Sequence, residues 1–553
     1  MVSRRLETAV SRWIAPLHIT NLDHLGLVAG IIDELGLVEL TNTELGEHPL
    51  EQVSAGQVVK AMLLNSFGFA SAPLYLFSEF FESKPVEHLL GPGVEARHLN
   101  DDRLGRVLEQ LYEYGTSTFF LQVAQQAVEH FGVRVHQLHL DSSSFSVQGE
   151  YAQVASGDVD QVPIEISRGY SRDHRPDLKQ FVVNLICSKD GGVPLWLTVA
   201  DGNQSDASQF GSLMSQFSET WEMDSVFVID AAFYSEPNLK AVNTLRWLSR
   251  VPQTLCAAQA LVQRDVDDFS PSPCSHKDYQ LWETRATYGG VEQRWILIES
   301  QSRKAHRALW EPELKKLEKR LNRDLRALTD QVFACKPDAY EAILRFQDGL
   351  SVHQLSDVSI AKVFPKRPPG RPAKAKANRT KNDVIGYQIK ATLERKDTTE
   401  QQYQQQRSRF ILATNLLDEK QWPAEKLLTE YKGQQTVERG FRFLKDPLFF
   451  TSSVFVKKPQ RVEALALLMA LTLMVYTLAE RQLRHTLAQE QQTILDQKRK
   501  PTDRPTFRWV IQAFQGVHLV TIDTAKQISN LTDERRKIVR LLGSCVEPYY
   551  ASN

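Results

Sequence analysis

The stretch "YKGQQTVERGFRFLKDPLFF", Tyr431 to Phe450, decides how the rest of the chain is read. Wound as one helix at 100° per residue, it places Tyr431, Gln434, Glu438, Arg442 and Lys445 within an arc of about 80°. A structural helix normally turns an apolar stripe inward and scatters its charges outward. Here the polar residues form a stripe of their own, with a lone carboxylate among cationic and hydrogen-bonding groups. What the stripe faces has to be answered by the other elements.

The chain has 553 residues, enough for three or four domains. An apolar content of 42% and a charged content of 24% fit a globular protein rather than a disordered or fibrous one. A net charge of −1 argues against a uniformly basic nucleic-acid coat while leaving room for local basic surfaces. The five cysteines (Cys187, Cys256, Cys274, Cys335, Cys545) show no CxxC spacing, a reduced, cytosolic pattern with neither a disulfide framework nor a structural zinc site. The N-terminus has no apolar core of a signal peptide. The most hydrophobic run, Ala464 to Ala479, is shorter than a membrane span and is bounded by Glu463 and Glu480, so it reads as a buried helix and no membrane partner is expected.

Residues 1–133 have helical apolar spacing, ending in "LNDDRLGRVLEQLYEYG" with a cap-like Asn-Asp-Asp and a stop at Gly115. This is a helical N-terminal domain, a candidate for binding DNA ends. From 134 the period changes to two. "VRVHQLHLDSSSFSV" alternates, and "LKQFVVNLICSKDGGVPLWLTVADGN" reads as two strands around a Lys-Asp-Gly-Gly turn. A helix, the buried strand "SVFVIDAAF" and a further helix–strand pair close a mixed sheet over 134–251. Residues 252–430 read as an insertion: β-like pieces around a charged helix with Leu314, Leu317, Leu321, Leu325 and Leu328 on one side, then a basic Pro-rich linker, 362–381. The segment 431–480 returns to the core and carries Glu438; 481–553 reads as a helical C-terminal region.

Three acids stand out. Asp141 ends an apolar strand in "LHLDSSSF", Asp230 ends another in "VFVIDAAF", and Glu438 lies on the polar stripe. Two strand-end aspartates and a helical glutamate can form an oxygen cage for Mg²⁺. Two such ions could activate a water or a 3′-hydroxyl and stabilise the leaving oxygen in phosphoryl transfer. Strand-end aspartates also cap turns, and spacing alone leaves both readings open. The stripe favours the first, because Tyr431, Arg442 and Lys445 are donors suited to phosphate oxygens. The basic neighbourhood continues in Lys457, Lys458 and Arg461.

The combination resembles the DDE-class insertion-sequence transposases of the group numbered four, whose signature is Tyr-x2-Arg-x3-Glu-x6-Lys. Tyr431, Glu438 and Lys445 match its spacing, while Gln434 stands at the Arg position. The flanking "GYSRDHRPDLKQF", "DGNQSDASQF", "VIDAAFYSEPNL" and "FRFLKDPLFFTSSVFVK" are similar to the branch numbered sixteen-thirty-four, in the expected order over roughly residues 20 to 490. The resemblance implies an α/β, RNase H-like mixed sheet with helices on both faces, interrupted by a β-containing insertion and flanked by helical N- and C-terminal regions. It implies Asp141, Asp230 and Glu438 as catalytic and metal-binding residues for two Mg²⁺ ions, with Mn²⁺ as a substitute. With Gln434 an uncharged donor at the Arg position, either phosphate contact there is weaker or Arg439 or Arg442 takes over, and Arg442, on the right face, is the expected contact.

Further DNA contacts are expected from several places. His174 and Arg175 lie in a basic loop. Trp282 and Trp295 are aromatics where related transposases hold a base flipped from hairpinned DNA. Arg367 and Arg371 lie in "RPPGRP", which is similar to a minor-groove hook. Each has a plainer reading, as surface turn, core aromatic or basic linker. The whole reads as a cytoplasmic, nucleoid-associated transposase acting on double-stranded DNA, as a homodimer in a synaptic complex. A metal-dependent nuclease without strand transfer and a non-catalytic transposase-derived DNA-binding protein are the rival readings.

Overall fold

A computed structural model describes residues 17–68, 76–147, 149, 151, 162–169, 175, 177–204, 206–264, 278–305, 307–350, 352–364, 384–396, 405–445, 458–522 and 525–551, without the side chains of 206–208, 304–305, 307–310 and 435–438. The chain forms two compact units. One comprises Met1–Ser249, Gly289–Val291 and Leu427–Asn553, the other Arg250–Tyr288 and Glu292–Lys426.

The first unit opens with helices whose ends are fixed locally. Ser54 caps Ala55–Ser66 in a reciprocal capping box with Gln57. Asn100 caps Asp101–Tyr114 by accepting from the Arg103 N–H at 2.9 Å, and Gly115 takes over at φ +102°. Both termini also contain strand, where the sequence reads as helical. Leu17–Asn21 pairs antiparallel with His518–Ile522, which pairs in turn with Ala525–Ser529. Thr20 and Leu519 are 499 positions apart, so no local pattern announces the pairing.

The chain's C-terminal residues complete the N-terminal helices. The Tyr550 hydroxyl donates to the Asp23 carbonyl at 2.7 Å and accepts from the Leu27 N–H at 3.3 Å. Gly30 is required there, because a Cβ would come within 2.6 Å of the Cys545 carbonyl oxygen.

The sheet of this unit begins with β1 (Gln137–Val147), β2 (Lys179–Ser188) and β3 (Pro194–Ala200), an antiparallel meander. The β2–β3 turn uses Gly191 and Gly192 at φ +91° and +75°. Helix α1 (Asp206–Trp221), strand β4 (Val226–Ile229), helix α2 (Glu236–Ala241) and strand β5 (Arg246–Arg250) follow. β4 pairs parallel with β1, and β5 parallel with β4. The order β3-β2-β1-β4-β5 is that of an RNase H-like fold.

Helix α1 covers one face, where Phe217 meets Trp196 and Phe227 at ring distances of 6.0 and 5.8 Å. Three later helices, α3 (Ala424–Lys432), α4 (Gln435–Leu444) and α5 (Pro459–Gln489), follow the insertion, and α4 lies on the other face. There Phe441 meets Phe145 at 6.5 Å. Helix α5 has 31 residues, longer than the apolar run inside it. By length and composition it could cross a membrane, yet 83% of its most apolar window is buried inside the protein, which makes it a core helix here.

In the second unit Arg409–Thr414, Val291–Ser300 and Tyr279–Tyr288 are neighbouring strands, with Arg409 paired to Glu299 at 2.8 Å, both fully buried. His353–Val363, Gly386–Arg395 and Val332–Phe333 form a three-stranded sheet, packed under helices Arg307–Asp330 and Lys336–Asp348 through Phe333, Ala339, Ile343 and Ile389. The basic linker 362–381 lies almost wholly outside the described residues.

His24 gives the fold a pH dependence. It is fully buried, with Nε2 at 2.6 Å from the Phe67 carbonyl oxygen, and burial pushes its imidazole down to about 4. The folded-state value is depressed, so the contribution is complete above the unfolded value of 6.5 and is lost as pH falls from there to about 4. The loss amounts to about 3 kcal/mol. Denaturant titrations from neutral to acid pH should show a shallower decline for His24→Gln than for the wild type, by about one proton. Equal slopes would remove His24 as the cause.

Candidate active site

The parallel pairing of β1 with β4 runs from Gln137↔Val226 to Leu140↔Ile229 and stops. The next residue on each strand is an aspartate, Asp141 and Asp230. Neighbouring strands lie about 4.8 Å apart, and register partners in a parallel pair point to the same face. Register alone therefore sets the two carboxylates side by side.

One expectation needs correcting. Asp141 does not end its strand, because β1 continues to Val147 and stays paired with β2. What ends at Asp141 is the neighbour β4, which leaves the far side of β1 open beyond this point. "DSSSFSV" reads as loop only because its serines are polar; Ser142, Ser143 and Ser144 are buried. Both aspartates are half-buried and anchored by backbone. Asp141 Oδ1 accepts from the Ser142 N–H at 2.8 Å, and Asp230 Oδ1 from the Ala232 N–H at 3.0 Å.

The decisive stretch is two helices rather than one. The chain breaks between α3 and α4 at Gly433 and Gln434. Glycine suits this close approach: His139 on β1 is fully buried, and a Cβ at position 433 would stand 3.1 Å from both its Nε2 and the Glu430 carbonyl oxygen. Burial pushes the His139 imidazole down to about 4, so it is neutral at pH 7, and neither ring nitrogen has a hydrogen-bond partner among the described residues. Eight residues after Gly433, Phe441 packs on Phe145, and the Lys445 ammonium lies 5.4 Å from the centre of the same ring.

His139, Asp141 and Phe145 share one face of β1 by the two-residue period. The chain from Gly433 to Phe441 thus runs along β1 past Asp141. Position 438, three before Phe441 and seven before Lys445, lies on the strand-facing side of α4. The Glu438 side chain itself lies outside the described residues.

The break redistributes the expected stripe. Tyr431 belongs to α3 and is half-buried, and Lys445 follows α4. Gln434, expected to face DNA, is the buried residue that caps the start of α4, at 6% exposure, so it is not presented to a ligand. Arg442 is exposed. Lys458 and Arg461, read as part of a basic neighbourhood, are both held by Glu109, at 2.6 and 3.0 Å.

Two residues escaped the sequence reading. His139 was masked as one more alternating strand residue. Glu430, next to Tyr431, is buried and ties α3 to the sheet through Gln137 at 3.0 Å and Lys189 at 2.6 Å.

The remaining candidates scatter. Arg175 is exposed and paired with Asp177 at 2.8 Å; His174, Arg367 and Arg371 lie outside the described residues. Trp282 is half-buried in the second unit, with the Arg264 guanidinium 4.3 Å from its ring centre. Trp295, expected as a base-stacking candidate, is 4% exposed, with its indole N–H donating to Gln293 Oε1 at 3.2 Å. Its ring is core, closed to an extruded base.

Among the described residues no three His, Cys, Asp or Glu side chains gather as a metal cluster. The described part of the candidate cage is the Asp141–Asp230 pair. Two carboxylates that follow the last register pair of β1 and β4 form a hard oxygen donor set suited to Mg²⁺ or Mn²⁺.

Comparison with known proteins places this geometry. A family model described as "Transposase DDE domain" matches residues 137–475, more than half of the chain. A second, "Domain of unknown function (DUF4277)", matches residues 17–125. No curated protein matches. A solved structure titled "Cryo-EM structure of piggyBac transposase synaptic complex with hairpin DNA (SNHP)" aligns over 96% of this chain and 84% of that chain, at 9% identity and a TM-score of 0.36. A likeness that loose bears on neither fold nor function here. The aspartate pair and the helix packed beside it all fall within the matched span, and the chain belongs to the DDE transposase domain family.

Proposed function

We propose that this transposase binds the terminal inverted repeats of an insertion sequence, cleaves the DNA ends and joins the freed 3′-hydroxyls to target DNA. The group with the Tyr-Arg-Glu-Lys signature, branch sixteen-thirty-four, is the proposed affiliation. The observation that carries the reading is the aspartate pair where the pairing of β1 with β4 ends, with position 438 on the helix beside it.

Asp141, Asp230 and Glu438 would hold Mg²⁺, which when bound supplies an activated nucleophile and neutralises charge on the scissile phosphate. The chain's own residues do the positioning. The Ser142 and Ala232 N–H groups fix the two aspartate carboxylates before any substrate arrives. Exposed Arg442, one turn beyond position 438, is placed to take a phosphate oxygen. Lys445, with its ammonium 5.4 Å from the centre of the Phe145 ring, would serve the same end. Joining two ends requires two active sites, hence a homodimer on double-stranded DNA, acting at the nucleoid.

The test is cleavage of linear DNA carrying the repeats that flank the gene, with Mg²⁺. Asp141→Asn and Asp230→Asn should each lower nicking by about 10³-fold or more at unchanged DNA affinity. Joined products from the wild type would exclude a simple nuclease; repeat-specific binding without any nicking would contradict an active enzyme. Gly433→Val puts a Cβ 3.1 Å from the His139 Nε2 and is expected to shift the start of α4. It should cost on the order of 10²-fold in cleavage while repeat binding persists. Unchanged cleavage in that variant would detach the helix break from the chemistry.

A further inference from the structure

The helix Arg307–Asp330 of the second unit has a face that the catalytic reading does not use. Lys316, Lys319, Arg320, Arg323 and Arg326 are all exposed. At 100° per residue they fill an arc of about 120°, and between 316 and 326 no other residue shares it. Leu314 and Leu325, nearly opposite, are buried in the unit's own core.

A helix face that serves solubility alone normally mixes its signs. This one sets five pairs of cations at three- or four-residue spacing (316/319, 316/320, 319/323, 320/323, 323/326), and like charges at that spacing oppose helix formation. The acids of the same helix are engaged elsewhere. Glu311 and Glu318 pair with Arg395, Glu318 also with His353, and Glu313 pairs with Arg407 at 3.2 Å. Asp324 is the exception among the ion pairs of the described residues, at 3.4 Å from Arg323.

We propose that this face binds the phosphate backbone of duplex DNA without reading its sequence. The stripe is about 15 Å long, which matches about four phosphates of one strand. The proposal rests on the reading of the chain as a DNA-acting transposase and adds a surface to it, with affinity independent of the repeats.

The experiment is a binding titration on full-length protein by fluorescence anisotropy, using a mixed-sequence duplex of about 40 base pairs without repeats over about 50–200 mM salt. The variant is Lys316→Gln/Lys319→Gln/Arg320→Gln/Arg323→Gln. Its side chains are exposed, so its thermal midpoint should match the wild type; Lys319→Glu/Arg323→Glu serves as a second, smaller change. The slope of log affinity against log salt should fall by about 2–4 in the fourfold variant, with at least about a tenfold loss of affinity at about 100 mM salt. A Lys-to-Arg and Arg-to-Lys exchange at the same four positions should keep the wild-type slope.

Wild-type binding with an unchanged slope in both charge variants would overturn this surface and leave the transposase reading standing. Loss of binding to an acidic polypeptide such as polyglutamate, with duplex binding intact, would overturn it in favour of a protein partner. A wild type that binds no repeat-free duplex would overturn this surface, and one that binds neither that duplex nor one carrying the flanking repeats would overturn the DNA reading as well.

Discussion

The parallel register Leu140↔Ile229 is the constraint on which the rest of the candidate site depends. It makes Asp141 and Asp230 neighbours without any contact between the two side chains being needed. It also fixes their face, because a slip of one residue in either strand would turn one carboxylate to the side covered by α1. The register is protected by burial. Leu138, Leu140, Phe227 and Ile229 are all closed to solvent, so a slip would expose apolar side chains while burying carboxylates.

The second requirement is a helix laid along the open edge of β1, and it depends on small contacts. Gly433 allows the chain to approach the His139 imidazole, Gly440 allows α4 to approach Leu473 of α5, and Phe441 seals the far end on Phe145. Glu430 holds the preceding helix to the sheet through Lys189. Position 438 is set between those fixed points. The long helix α5 then links this arrangement to the N-terminal helices, since Glu463 on α5 accepts from the Thr116 hydroxyl at 3.1 Å. The N-terminal helices are in turn finished by Tyr550 and its neighbours, so the matched domain of unknown function is built from both ends of the chain.

Much of this was legible in the sequence. The alternation around Leu138 and Leu140, the Lys-Asp-Gly-Gly turn and the short apolar strand ending at Asp230 are local signals, and local signals survive translation into structure. The break at Gly433 was not legible, because the helical phase from Tyr431 to Lys445 is unbroken and the close neighbour His139 is remote in sequence. Gln434 looked like a surface donor for the same reason. The extension of β1 past Asp141 was hidden by its serines, and the terminal strands by the distance to their partners. Strand Gly386–Arg395 in the second unit escaped notice because it alternates weakly, with only Gly386 and Ile389 buried. Failures of this kind share one origin: tertiary contacts decided what local pattern left open.

The central claim, that Asp141, Asp230 and Glu438 enclose one divalent-metal site, is tested most directly by iron-directed backbone cleavage. Full-length protein is loaded with Fe²⁺ in place of Mg²⁺, treated with ascorbate and peroxide, and the fragments are mapped. The account predicts cuts confined to the segments around 141, 230 and 438, suppressed by excess Mg²⁺ and lost in Asp141→Asn. Cuts at other segments, or an Asp141→Asn protein cut at the same three places, would contradict it.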